Sequence, residues 1–293
     1  MLTIEGVTKR FGDRQVLHDV TFDVGRGRLT GFVGGNGAGK TTTMRILLGV
    51  LDADDGSVAI DGSRIGPADR RRFGYMPEER GLYPKMRVAE QVTYLARLHG
   101  VDRRTATDRT TRLLERLELT GHADDEVEKL SLGNQQRVQV AAALVHDPEA
   151  LVLDEPFSGL DPMAVDVVLG VLREAAARGV PVLFSSHQLD VVERLCDDVV
   201  VIADGRIRAA GPQDDLRRQA GPPAWELLVD GDVAWLRDVP GVTVRDFDGG
   251  YAVFEASDAV AQTVLQRAVS TGTVGSFAPR VPRLSEVFRE VVR

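Results

Sequence analysis

The sequence predicts an α/β fold built on a parallel sheet, followed by a small α+β unit at the C-terminal end. Three observations predict it. Residues 150–154 are four apolar residues followed by an acid, the pattern of a buried parallel strand. Val180–Ser185 and Val199–Ala203 read the same way, and helix-compatible stretches separate these runs. Near residue 211 the chain changes character, with Gly-Pro-Gln at 211–213 and Gly-Pro-Pro at 221–223.

The elements follow in order. Leu2–Val7 and Gln15–Val24 alternate apolar and polar residues and read as strands. Leu29–Val33 is a short β-prone run, and Thr41–Leu48 suits a helix. Residues 57–61 and 73–76 continue a strand-rich base. From 87 to 147 the spacing turns helical, in Arg87–Leu98 and in Thr105–Leu119 with Leu113, Leu114, Leu117 and Leu119. This is read as a helical subdomain, about 85–147, inserted in the core. Beyond 222 the order is strand 225–230, short helix 232–238, strands 242–247 and 250–255, helix 258–271, strand 273–279 and helix 284–292. The first six make a β-α-β-β-α-β sequence, the ferredoxin-like pattern. Two domains are therefore expected, 1–215 and 222–293. No internal repeat or low-complexity tract interrupts them.

Composition bounds the function. The chain has 293 residues, 43% of them apolar, enough for a core of its own. Its formal net charge of −8 argues against a general affinity for nucleic acid. The single cysteine, Cys196, excludes an intramolecular disulfide framework and fits a reducing compartment. The N-terminal residues show no secretory pattern. No apolar run approaches the roughly 20 residues that span a bilayer.

Residues 34–41 read Gly-Gly-Asn-Gly-Ala-Gly-Lys-Thr, a G-x-x-x-x-G-K-[ST] loop between a strand and a helix. In such a loop the backbone N–H groups of Gly34, Gly35, Asn36, Gly37, Ala38 and Gly39 close around phosphates. Lys40 reaches the β- and γ-phosphates, and the Thr41 hydroxyl ligates Mg²⁺, with Thr42 beside it. The phosphates would sit on a helix N-terminus. Many nucleotide-using classes share this loop. The Asn-Lys-x-Asp motif of guanine readers is absent.

A second block narrows the choice. It runs Leu130-Ser-Leu-Gly-Asn-Gln-Gln-Arg137, then Ala150-Leu-Val-Leu-Asp-Glu155-Pro, then Ser158-Gly-Leu-Asp-Pro162, and His187 follows in Phe184-Ser-Ser-His-Gln. With these four features in this order, residues 1–215 resemble the ATP-binding subunit of an ABC transporter. The stretch Tyr75–Pro84 and the C-terminal extension are similar to the bacterial drug-resistance and sodium-export branch.

The resemblance implies a P-loop NTPase cassette with a RecA-like core, a β-rich antiparallel subdomain and the inserted helical subdomain. It implies ATP and Mg²⁺ as ligands and ATP hydrolysis as the activity. Asp154 would hold Mg²⁺ through its water shell, and Glu155 would polarise the attacking water. His187 would contact the γ-phosphate, its alternative being a satisfied histidine in a turn. Phe11 would stack on adenine, its alternative being core packing. Ser131 and Gly133 match the signature loop that contacts the γ-phosphate held by a second copy, and Asp161 matches the loop that couples the paired sites. One chain then cannot complete its own site, and two copies would sandwich two ATP molecules with isologous symmetry. The membrane path would be a separate permease, with this subunit peripheral at the cytoplasmic face and without nucleic acid as partner. Export rests on the branch resemblance alone.

Four positions depart from the family pattern. Glu78 stands where a Gln binds Mg²⁺ and senses the membrane subunit, which keeps a ligand but adds negative charge. Gly35 replaces a common Pro, and the signature reads Leu-Ser-Leu-Gly-Asn in place of Leu-Ser-Gly-Gly-Gln. Two other readings compete. One is a soluble ATPase of the same class acting on ribosomes or DNA, which the single cassette and acidic charge disfavour. The other is a module with dead chemistry, which Lys40, Asp154, Glu155 and His187 disfavour. The C-terminal domain carries no His and no Cys, and is open to a role in dimerisation, permease contact or regulation.

Overall fold

The computed structural model describes residues 1–79, 81–219 and 221–291. The chain divides into two compact units, Met1–Gln213 and Asp214–Val291.

The first unit opens with an antiparallel sheet. β1 (Leu2–Phe11) pairs with β2 (Arg14–Val24), from Leu2 opposite Val24 to Phe11 opposite Arg14. β4 (Asp55–Ile60) lies on the other side of β1, and β5 (Ser63–Arg64) closes the edge. The strand β1 runs past Val7, where the alternation of the sequence stops. Leu2 and Ile4 point inward, then a register shift between Ile4 and Val7 moves the buried positions from even to odd numbers. A bulge of this kind hides the second half of a strand from a period-two reading.

The second sheet has six strands in the order β10-β9-β3-β8-β7-β6. β3 (Leu29–Val33), β6 (Phe73–Met76), β7 (Ala150–Leu153), β8 (Val182–Ser186) and β9 (Asp198–Ala203) are all parallel. β3, β7 and β8 are buried at every position, so both faces are covered and no alternation shows. β10 (Arg206–Pro212) adds an antiparallel edge. Gly211 and Pro212 read as chain punctuation, yet they belong to this strand. Proline is tolerated at an edge because its missing N–H faces no partner strand. Ile4, Phe22, Phe32, Leu47, Val152 and Leu183 belong to one core that joins the two sheets and α1 (Lys40–Leu47). The one-turn helix α2 (Pro67–Arg70) leads into β6, and Arg70 Nε bonds Leu47 O at 3.2 Å.

Between β6 and β7 lies the helical insertion, α3 (Val88–Leu98), α4 (Arg103–Arg116) and α5 (Leu132–Leu144), with 3-10 turns at Thr120–His122 and Val127–Lys129. Asp102 caps α4 by accepting from Thr105 N at 3.1 Å. That cap starts the helix at Arg103, ahead of the expected Thr105. It ends at Arg116, short of the expected Leu119, with Glu118 in a left-handed conformation (φ +56°). Ser131 caps α5 in the same way, accepting from Asn134 N at 3.2 Å, so α5 begins at Leu132. α6 (Pro162–Ala177) and α7 (Leu189–Leu195) supply the crossovers that return the chain to β8 and β9.

The second unit carries most of α8 (Gln213–Gln219), then β11 (Ala224–Val229), β12 (Thr243–Asp248), β13 (Tyr251–Glu255), α9 (Asp258–Thr271), β14 (Val274–Arg280) and α10 (Leu284–Val291). Residue 292, the end of the expected last helix, lies outside the described residues. The sheet order is β12-β13-β11-β14, antiparallel throughout, as the ferredoxin-like pattern requires. Leu227, Leu236, Phe254, Ala261 and Val264 form its core, and Trp225 stacks on Phe277 at 5.0 Å. The expected helix over 232–238 is a 3-10 segment, Ala234–Asp238. Pro240 explains the shortfall. It forces Val239 into an extended conformation (φ −86°, ψ 119°), which leaves too few residues to propagate an α-helix.

Candidate functional site

Four neighbouring parallel strands, β3, β8, β7 and β6, deliver their C-terminal loops to one edge of the sheet. Those loops contain residues 34–39, His187, Asp154–Glu155 and Glu78. Convergence outside the carboxyl ends of parallel strands is where α/β sheets bind ligands. The loops border a cleft of about 570 Å³, which Phe11, Lys40, Thr41, Asp154, Glu155 and His187 all line.

The glycine loop has a packed side and an open side. A side-chain carbon on Gly39, itself at φ +112°, would come within 2.6 Å of Leu17 Cδ2. One on Gly34 would meet Ile202 O at 2.4 Å. Among the described residues nothing lies within 4 Å of such a carbon on Gly35 or Gly37, which leaves the cleft side of the loop open for a ligand to approach the backbone. Lys40 Nζ folds over the loop, donating to Gly34 O at 2.7 Å and to Gly35 O at 3.3 Å. α1 starts at Lys40, so the unpaired N–H groups of its first turn open toward the cleft. Thr43 is spent internally, its hydroxyl on Gly39 O at 2.9 Å, while Thr41 and Thr42 stay on the cleft lining.

Asp154 is 3% exposed at the end of β7. Its Oδ1 accepts from the Ser185 hydroxyl, and its N–H donates to Met76 O at 2.8 Å. Thr41, Asp154 and Glu78 form an all-oxygen set on the cleft, the donor chemistry Mg²⁺ prefers. Glu155 sits at φ +51°, an uncommon conformation for a residue with a side chain. Its N–H donates to Ser185 Oγ at 2.9 Å, and its Oε1 lies 2.9 Å from His187 Nδ1. Burial pushes the Glu155 carboxyl above the usual carboxylate range. The His187 hydrogen bond and the positive charge of Lys40 oppose that shift, and Asp154 adds to it. The His187 loop is shaped by Ser186, whose hydroxyl accepts from Gln188 N at 3.0 Å.

Phe11 is 51% exposed at the end of β1, on the cleft lining and not in the core, with Lys9 Nζ 5.8 Å from its ring centre. Glu78 is exposed on the same lining. Arg80, within the stretch Tyr75–Pro84, lies outside the described residues.

Four expected residues do not line this cleft: Gly34, which packs against Ile202, and Ser131, Gly133 and Asp161. Ser131 and Gly133 lie at the exposed N-terminal end of α5, where a carbon on Gly133 would face Leu160 at 3.5 Å. Asn134, in the place of a longer Gln, accepts from Arg137 Nη2 at 2.6 Å. Asp161 caps α6 through Ala164 N at 2.9 Å. Two residues not singled out in the sequence prove central. Ser185 joins Asp154 and Glu155, and Gln136 bonds the Glu155 backbone. Ser185 had a signal, a polar residue at the end of an apolar strand. Gln136 had none beyond its place in the Leu130–Arg137 block.

Comparison with known proteins gives the family of the chain. The family model for ABC transporters matches residues 17–158, and that for the C-terminal domain of DrrA1-3-like ATP-binding proteins matches 211–292. The ABC transporter ATP-binding protein YhaQ of Bacillus subtilis is 37% identical over 100% of this chain and 98% of its own length. The Nod factor export ATP-binding protein I of Ralstonia nicotianae is 40% identical over 74% of this chain and 68% of its own. A solved ATP-binding subunit of an ABC transporter superposes with a TM-score of 0.69 at 35% identity, covering 75% of this chain and 92% of that one. The fold is that of an ATP-binding cassette. The chain belongs to the ABC transporter ATP-binding proteins, a class whose cassettes bind ATP and are in general ATPases. No helix among the described residues is long and apolar enough to cross a membrane.

Proposed function

We propose that this chain hydrolyses ATP with Mg²⁺ in the cleft at the edge of the parallel sheet and so drives a separate membrane permease, as an exporter. The observation that carries the reading is the meeting of Lys40, Thr41, Asp154, Glu155 and His187 on one cleft lining. Phosphoryl transfer asks a protein mainly for position and charge, and these residues supply both. Lys40 leaves its two carbonyl partners for the β- and γ-phosphates. The N–H groups of the loop and of the first turn of α1 hold the phosphate oxygens. Thr41 and Asp154 would hold Mg²⁺, with Glu78 as a further oxygen donor, and the metal would neutralise charge on the phosphates.

Glu155 orients the attacking water and takes up its proton density. Burial serves this role, because a carboxyl with a raised pKa is a stronger base than a solvated one. His187 holds the Glu155 carboxylate from one side and offers its exposed edge to the γ-phosphate. Phe11 stacks on the adenine at the mouth of the cleft. Ser131, Gly133 and Asp161 act on the ATP of a second copy, with Ser131 and the positive end of α5 facing its γ-phosphate. The active form is a head-to-tail homodimer that closes on ATP and reopens after hydrolysis, at the cytoplasmic face of the membrane. Export draws support from the relative named for Nod factor export.

The test is Glu155→Gln with ATP and Mg²⁺. The variant is expected to bind ATP, release phosphate far more slowly than wild type, and run as a dimer in gel filtration. Full wild-type turnover would refute the role of Glu155. For the permease, purification from native membranes should bring down a polytopic membrane protein in stoichiometric amount. Ribosomal proteins in its place would contradict transport.

A further inference from the structure

Glu155 is held in its left-handed backbone conformation by partners from two parts of the fold. Two holds come from the end of β8. Ser185 Oγ accepts the Glu155 N–H at 2.9 Å, and His187 Nδ1 lies 2.9 Å from the carboxylate. The third comes from the helical insertion. Gln136 Nε2, on α5, donates to Glu155 O at 2.9 Å. One turn further on, and so on the same face of the helix, Gln139 Nε2 reaches Pro77 O at 3.4 Å, next to Glu78.

Both glutamines are buried, Gln136 at 6% and Gln139 at 4% exposure. A buried amide is costly unless it is bonded, and apolar side chains would fill such positions without that cost. What the amides provide is a directed link from α5 to the two loops that carry Glu78 and Glu155. The link to Glu155 has a geometric effect. With its N–H fixed by Ser185 and its carbonyl fixed by Gln136, both peptide planes flanking the Glu155 Cα are anchored. That sets the direction of the Cα–Cβ bond and hence where the carboxylate points. Conformations of this kind persist only when the surroundings enforce them.

We propose that Gln136 is a positioning residue for ATP hydrolysis: through the Glu155 carbonyl it aims the carboxylate that orients the attacking water. The proposal rests on the role given to Glu155 above. It ties the water-activating group to α5, the helix whose capped end at Ser131 lies five residues before Gln136.

The test uses the full chain with ATP and Mg²⁺ and two substitutions. Gln136→Leu removes the donor and keeps the bulk. Gln136→Lys keeps an N–H donor of similar reach, and its charge would lie beside Glu78, Glu79 and Glu155, which line the same pocket. Gln136→Leu is expected to lower kcat by about tenfold to a hundredfold, the scale of a small misplacement of a reacting group. KM, ATP affinity and thermal midpoint should stay at wild-type values. Gln136→Lys should recover most of kcat. On a Glu155→Gln background, Gln136→Leu should cost nothing further, because the group it aims is gone.

Wild-type kcat in Gln136→Leu would overturn the proposal. So would a loss of kcat that Gln136→Lys shares in full, or one that persists undiminished beside Glu155→Gln. A rise in KM together with a lowered thermal midpoint would also overturn it, as a structural effect. The two readings fail separately. Full turnover in Glu155→Gln removes the role of Glu155 itself, whereas slow turnover in Glu155→Gln with normal turnover in Gln136→Leu removes only the role of Gln136.

Discussion

His187 Nδ1 lies 2.9 Å from Glu155 Oε1, so an exposed imidazole is tied to a mostly buried carboxylate. Burial raises the Glu155 carboxyl above the usual range, and the His187 hydrogen bond is the largest contribution opposing it. The role proposed for Glu155 requires its ionised form, so kcat should fall as pH drops through that raised value. His187→Ala removes the opposing hydrogen bond, and the acid limb of its residual activity should move to higher pH. The sign for stability follows from proton counting. A carboxyl with a raised folded-state pKa binds more protons folded than unfolded between the ordinary and the raised value, so stability falls as pH rises through that window. Glu155→Gln should therefore raise the thermal midpoint above that window. An acid limb that stays in place in His187→Ala, measured by phosphate release, would contradict the coupling.

Phe11 is 51% exposed, which separates its value to the fold from its value to the ligand. Phe11→Ala should change stability little, as exposed substitutions do. It should weaken nucleotide binding by about 1 kcal/mol, roughly fivefold, the scale of an aromatic stacking contact. Phe11→Trp should restore it. Titration with a fluorescent ATP analogue reads both. Unchanged affinity in Phe11→Ala would place the adenine elsewhere.

Glu78 puts a carboxylate on the cleft proposed to hold ATP, a polyanion. Glu78→Gln removes that charge and leaves an oxygen ligand. It should tighten ATP binding in the absence of metal and narrow the gain that Mg²⁺ brings, because in wild type the metal also screens Glu78. Calorimetric titrations with Mg²⁺ and with a chelator measure the two affinities. Equal metal-free affinities in wild type and variant would show that Glu78 does not face the phosphates.

His146 stacks on His99 with ring centres 3.8 Å apart, and its buried Nδ1 has no hydrogen-bond partner among the described residues. Burial, reinforced by repulsion from His99, lowers its pKa from 6.5 to about 4. For a base with a depressed folded-state pKa the unfolded chain protonates first. The stability is complete above pH 6.5 and is lost as pH falls from there toward about 4. His146→Gln does not titrate and keeps an N–H donor for Phe73 O. The fall of its thermal midpoint across that window should be shallower than in wild type. Identical slopes would assign the acid sensitivity to other groups.

The residues around the cleft were legible because each is announced by a contiguous pattern. The glycine loop, the apolar run before Asp154 and Glu155, and the run before His187 each combine a strand with the loop at its C-terminal end. The ferredoxin-like order was legible from alternation and Gly/Pro punctuation. What escaped depends on contacts across the chain or on local dihedrals. Strand β1 past Val7 was hidden by a bulge, and the start of α4 at Arg103 by the capping role of Asp102. The 3-10 form of Ala234–Asp238 was set by Pro240, two residues beyond it. The bond from Gln136 to the Glu155 carbonyl spans 19 residues. A glutamine within a helix gives no sign of such a partner.

The most direct test of the whole account is phosphate release by the purified chain with ATP and Mg²⁺, beside Glu155→Gln, with ATP affinity measured on the same samples. The account predicts slow but definite release by wild type, near-complete loss in Glu155→Gln, and equal affinity in both. Equal release rates, or no ATP binding by either protein, would contradict it.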